Sequence, residues 1–285
     1  MLHPITFSFP KDKIVLNIPL KTKFCSDLIP GKLETYIYQN EEDYYKEYQS
    51  SIFAITTKKG GWDCMRHYEI MANGCIPYFP NIEQCPPNTM ALLPKHLIIE
   101  GNKLYETKNI EECSNLIKKL LDFTTYNLTT EKIAQYILDK SQNTNAKKIL
   151  YLSENIYPDY LRCITLQGLK ELIGKDCHDF PKIPHIYKNA GIDYSKLYGK
   201  GITYTNNLEQ ELHDISKDST IEEDIRANYY DIIIYGSYHR GMPYYELVCK
   251  FYQPNKIILL CGEDLHDCNY NFFVQKGHTV FVREL

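Results

Sequence analysis

Short apolar runs alternate with longer segments whose apolar residues recur at helical spacing. In the first half, "PITFSF" (4–9) and "IVLNI" (14–18) predict strands, and "EEDYYKEYQSS" (41–51) predicts a helix with acidic residues in its first turn. "IFAIT" (52–56) predicts a buried strand, followed by a helix from about 62 to 72 and a strand "IPYF" (76–79). Beyond the proline-rich loop "PNIEQCPPNTMALLP", "HLIIE" (96–100) predicts a strand, with helices around 109–122 and 130–141.

Around "KSQNTNAKK" (140–148) the hydrophobic period is lost, which marks a linker. "KILYLSE" then predicts a strand opening into a helix over 158–173, with Gly174 as its stop. A loop-rich middle precedes a charged helix near 207–227, the strand "YDIIIYGS", a helix near 243–251, the strand "KIILLCGED" and a last strand "TVFVREL". This alternation is that of parallel sheets covered by helices, so the expected fold class is α/β, with two Rossmann-like domains, 1–143 and 144–285, facing across a cleft. Ligands of such sheets bind beyond the carboxyl ends of the strands, here Ser153-Glu154, Gly236-Ser237 and Gly262-Glu263-Asp264.

Composition narrows the class. An apolar fraction of 44% over 285 residues is that of a folded globular protein. Residues 1–143 hold 16 Lys and Arg against 17 Asp and Glu and residues 144–285 hold 16 against 19, so the parts carry −1 and −3 of the net −4, and nucleic acid is not the expected partner. The N-terminus lacks the apolar core of a signal peptide and no run is long enough to span a membrane, so the expectation is a soluble cytoplasmic chain with no transmembrane segment. Ten scattered cysteines without a C-x-x-C pair are expected to be reduced thiols.

The stretch "KKGGWDCMRHYEIMANGCIPYF" (58–79) carries the densest chemistry. Gly60 and Gly61 between a strand and a helix leave helix N–H groups facing outward, an anion site to which Lys58, Lys59 and Arg66 add formal charge. Arg66 and Glu69 share a helix face, where a guanidinium suits phosphate and a carboxylate suits the vicinal hydroxyls of ribose. A surface ion pair beside a plain turn accounts for the same spacing. Trp62 either flanks the nucleotide or covers the core edge.

"RHYEIMANGCIP" resembles the donor-binding segment of exostosin-like glycosyltransferases of the GT-B fold, over about residues 50–100. The resemblance implies that Glu69 contacts the donor ribose, that Arg66 and Lys59 lie near the diphosphate, and that no metal is obligatory. It makes 1–143 the nucleotide-sugar donor domain and 144–285 the acceptor side, an order inverted relative to the family. "HTVFVREL" would run naturally into "HPITFSFP", which suggests circular permutation, though a chain cropped from a tandem array would read the same way.

Transfer of a sugar from a UDP- or GDP-sugar to the hydroxyl of a glycan, protein or small-molecule acceptor is the expected reaction, with no cofactor beyond that cosubstrate. The alternative is an inactive Rossmann-pair module that binds a nucleotide or carbohydrate. Candidates for a catalytic base are Glu154, Glu263, Asp264, His239 and His266 at strand ends on the second domain. "GEDLHD" (262–267) also reads as a possible metal cluster. Nothing in the sequence sets the oligomeric state.

Overall fold

A computed structural model describes residues 1–264 and 268–285. The chain is mixed α/β with two parallel sheets. The smaller sheet contains β2 (Lys23–Cys25), β3 (Ser51–Ile55) and β4 (Ile76–Tyr78) in that spatial order. Around it pack α1 (Glu41–Ser50), α2 (Met65–Ala72), α3 (Lys95–Thr107) and α4 (Cys113–Asn127). The side chain of Asn40 starts α1 by accepting the amide N–H of Asp43 at 2.8 Å.

The larger sheet begins with β1 (Leu2–Pro4), and α5 (Thr130–Lys140) follows α4 in the chain. Next come β5 (Ile149–Leu152), α6 (Tyr160–Ile173), β6 (Cys177–Phe180), α7 (Ile221–Arg226), β7 (Ile232–Tyr235), α8 (Tyr245–Phe251), β8 (Ile257–Cys261), α9 (Tyr270–Gln275) and β9 (Thr279–Val282). Its spatial order is β1-β9-β8-β7-β5-β6, all parallel. Counted from β5 the order reverses between β5 and β7, where a doubly wound sheet opens its crevice.

Side chains alternate strictly across this sheet. Ile232 and Ile234 of β7 enter one core and Ile233 and Tyr235 the other, and Ile258 and Leu260 of β8 face opposite to Ile257 and Leu259. Burial on both faces explains why these strands read as unbroken apolar runs. The first of the two cores also takes in Phe53, Ile76 and Leu116, so both sheets share it.

Several expectations change. "IVLNI" is not a strand: Leu16 is 95% exposed and Ile14 alone in that run is buried. "HLIIE" lies in α3, because Pro94 starts a helix whose Leu97, Ile98, Gly101 and Leu104 form one buried stripe, and a five-residue apolar run cannot distinguish that from a strand. The charged helix near 207–227 shortens to α7, preceded by 3-10 turns at Gln210–Leu212 and Ile215–Ser219. Cys261 and Cys268 form a disulfide, against the expectation of reduced thiols, and the other eight cysteines are free. Residues 2–4, inside the first expected domain, share a sheet with the strands of the second. Leu2 pairs with Val280 and Pro4 with Val282 in parallel, so Leu285 and Met1 lie toward opposite ends of that strand pair. Joining them requires a crossover rather than one continuous strand.

Candidate functional site

Residues 58–62 follow β3 and turn back through the Lys59 N–H, which donates to the carbonyl of Gly61 at 3.0 Å. Neither Gly60 nor Gly61 has a positive φ. Their missing Cβ serves close approach instead: a Cβ at Gly60 would collide with Asp264 and one at Gly61 with Glu284. The Oε2 of Glu284, beyond the end of β9, accepts the N–H of Trp62 at 3.0 Å, and its Oε1 accepts that of Asp63 at 2.9 Å. Arg283 is buried alongside, paired with Glu284 and Asp264 and donating to the Asp63 carbonyl. Asp63 accepts from the Phe7 N–H and the Tyr68 hydroxyl, and burial pushes its carboxyl up to about 6. Two of the amides expected to face an anion are thus held by a carboxylate of the chain itself. The helix accordingly starts at Met65 rather than at 62.

Arg66 and Glu69 are both only 5% exposed, so they are not a surface ion pair. Among the described residues no carboxylate lies within the 4.0 Å of an ion pair with Arg66, and its hydrogen bond to Thr56 Oγ1 is long at 3.4 Å. Thr56 in turn contacts His67 Nδ1 at 2.9 Å, and His67 Nε2 contacts the Trp62 carbonyl at 2.9 Å. Burial lowers the His67 imidazole to about 3. A neutral ring must then donate from Nε2 to the carbonyl and accept at Nδ1 from Thr56, which frees the Thr56 oxygen to accept from Arg66. The buried Tyr36 hydroxyl lies beside the guanidinium, which opposes the rise that burial gives the phenol pKa. Lys59 is exposed next to this group, close enough for Arg66, Glu69 and Asp264 to act on its charge. Lys58 is exposed and stands over the Trp62 ring, 5.1 Å from its centroid.

Glu69 accepts the Tyr44 hydroxyl at 2.8 Å and the Thr203 hydroxyl at 2.6 Å. Burial raises its carboxyl, and these two hydrogen bonds oppose the rise. Thr203 belongs to the segment between β6 and α7 and has φ 75°, an unusual conformation for a β-branched residue. It is held there by the Glu41 carboxylate, which accepts its N–H at 2.7 Å, and by the Tyr45 hydroxyl at 2.7 Å. Glu69 therefore lies at the seam where the small-sheet unit meets a segment of the large-sheet unit.

At the reversal of the large sheet, His239 Nε2 meets Glu263 Oε1 at 2.7 Å, and burial lowers the His239 pKa. Arg240 reaches Glu263 at 3.6 Å and Asp159 at 3.5 Å, while Asp159 also accepts the Ser237 hydroxyl and the Arg162 amide at the start of α6. Glu154 is exposed against Gly241. The structure thus brings His239 and Glu263 together and sets Asp264 against Gly60, but gives Glu154 no polar partner among the described residues. His266 and Asp267 lie outside the described residues.

No family model matches the chain, and no curated protein does. Among the described residues no helix is long and apolar enough to cross a membrane.

Sequence reasoning missed Arg283, Glu284, Tyr36, Tyr44 and Thr203. The charged pair after the last strand was the one available signal, because strand-end charges in a parallel sheet face the ligand side. Nothing local distinguishes the tyrosines or Thr203. Two cavities, of about 220 and 680 Å³, lie elsewhere, the larger lined by Asp12, Glu131 and Glu171 among others.

Proposed function

We propose that this chain is a glycosyltransferase of the GT-B type that takes a UDP- or GDP-sugar at the seam between its two sheets and transfers the sugar to an acceptor hydroxyl. The observation that carries this reading is the buried Arg66 without a carboxylate in ion-pair range, beside the Tyr36 hydroxyl and the exposed Lys59. A buried unpaired cation costs several kcal/mol, and a diphosphate would relieve that cost with two or three charge-assisted hydrogen bonds. Glu69, one turn along the same helix face, already accepts hydroxyls, the role a donor ribose would require of it. In this reading Thr203 withdraws from Glu69 when the donor enters, and the positive φ held at that residue favours such a release. His239 and the partly exposed Glu263, 2.7 Å apart at the sheet reversal, are the candidates for the base that acts on the acceptor hydroxyl.

Release of UDP or GDP from a panel of nucleotide sugars with mixed acceptors tests the reaction. Arg66→Ala and Glu69→Ala are expected to lower turnover by about 10²-fold or more, the size of effect seen when one charge-stabilising group is removed. Wild-type turnover in both folded variants would contradict the assignment.

A second reading, a module that binds nucleotide or carbohydrate without turnover, is favoured by Glu284 and Thr203 already filling part of the expected donor contacts. Saturable binding with no transfer across the panel would decide for it.

A further inference from the structure

The edge of the large sheet carries a second cluster, which shares no residue with the site above. His178 of β6 and His213, just after the turn Gln210–Leu212, lie with their rings stacked at 5.0 Å. Both Nε2 atoms lie near Asp218 Oδ1, at 3.1 Å from His178 and 3.3 Å from His213. The donor atoms of all three residues lie within 4.8 Å of one another. We propose that His178, His213 and Asp218 form a binding site for a divalent first-row transition ion of the Zn²⁺ class.

The hydrogen bonds around the cluster are what a metal requires and what the three side chains alone do not satisfy. Asp179 Oδ1 takes His213 Nδ1 at 3.0 Å, and that carboxylate is fixed by Lys170 at 2.9 Å and the Tyr187 hydroxyl at 2.7 Å. With Nδ1 held by Asp179, His213 turns Nε2 to Asp218, the carboxylate–imidazole arrangement that orients a metal ligand. A bare lone pair facing carboxylate oxygens at 3.3 and 3.4 Å is repulsive, so either a proton or a metal ion lies between them.

His178 repeats the problem. Its side chain is 1% exposed, and its Nδ1 and Nε2 both lack a hydrogen-bond partner, as does Asp218 Oδ1. A single proton on His213 would satisfy one of these contacts and leave His178 unmet. One divalent ion satisfies His178, His213 and Asp218 together.

The spacing fits as well. Ligands about 2.0–2.1 Å from a tetrahedral ion stand about 3.3 Å apart, close to the two nitrogen–oxygen separations here. Two imidazoles and one carboxylate suit Zn²⁺ better than Ca²⁺ or Mg²⁺, which prefer all-oxygen sites. Asp218, whose side chain is 30% exposed, leaves a fourth position on the solvent side for water. The ion would clasp residues 213–218 to the edge strand and so brace the segment that also presents Thr203.

The test uses the full chain, stripped with chelator, dialysed against Zn²⁺ and assayed for metal per protein, with Co²⁺ absorption as the coordination readout. One equivalent of Zn²⁺ is expected, with d–d bands of a nitrogen and oxygen site and no thiolate charge-transfer band, and a melting temperature that rises with Zn²⁺. His178→Ala and His213→Ala should abolish the equivalent and the thermal shift. Asp218→Asn, at a partly exposed position that the fold tolerates more readily, should weaken binding by at least about tenfold, the lower end of the effect of disturbing a metal's surroundings. No retained Zn²⁺ in the wild type, or full retention in the folded Asp218→Asn and histidine variants, would overturn the proposal.

Discussion

Asp63 concentrates the electrostatics of the seam in one side chain. It is buried against Arg283, with its oxygens taken by Phe7 and Tyr68, yet burial dominates and pushes its carboxyl from an ordinary 3.8 to about 6. Below about pH 4 the group is protonated in both the folded and the unfolded chain. As pH rises from about 4 to about 6 the unfolded chain releases the proton first, so this residue's contribution to stability is largest at the acid side and is lost through that window. The displacement corresponds to about 3 kcal/mol. In Asp63→Asn that term is absent. The stability of the wild type minus that of the variant, from urea unfolding at pH 4 to 7, should fall by roughly that amount across the window; a constant difference would show that Asp63 is not displaced.

At the scale of elements, the tightest joint is between α5 and α6. A Cβ at Gly168 would run into the carbonyl of Thr130 and the methyl of Ala134, so the helices meet backbone to backbone there. Gly168→Ala must push them apart, and since α5 and α6 belong to the shared core the expected loss is about 1–3 kcal/mol, read from the denaturation midpoint at unchanged slope. The gain of a few tenths that alanine gives an exposed helix would contradict the close contact.

That contact was not legible in the sequence, where Gly168 is one glycine inside an amphipathic pattern. By contrast α1, β3, β5, β7, β8 and β9 were legible, because three to five consecutive apolar residues or three acids ahead of a tyrosine-rich stripe leave little choice of period. "HLIIE" failed for the opposite reason, its buried stripe becoming evident only once Leu104 is counted with it. At the site, the residues of 58–69 were legible as a group. Their roles were only partly so, because Glu284 lies 222 positions from Trp62 and competes for its amide.

For the whole molecule, the parallel sheets direct carboxyl ends of their strands toward a common seam. Residues 58–63, beyond β3, contact Asp264 and Glu284, beyond β8 and β9. In the proposed reading this seam holds the donor diphosphate, with Arg66 in place of the amides as its principal ligand. Diffraction from crystals soaked with UDP or GDP tests that claim most directly. The account predicts phosphate oxygens about 3 Å from the Arg66 guanidinium, near Tyr36 and Lys59, with ribose hydroxyls on Glu69 and Thr203 displaced. Nucleotide bound elsewhere, or a seam unchanged at saturating nucleotide, would contradict it.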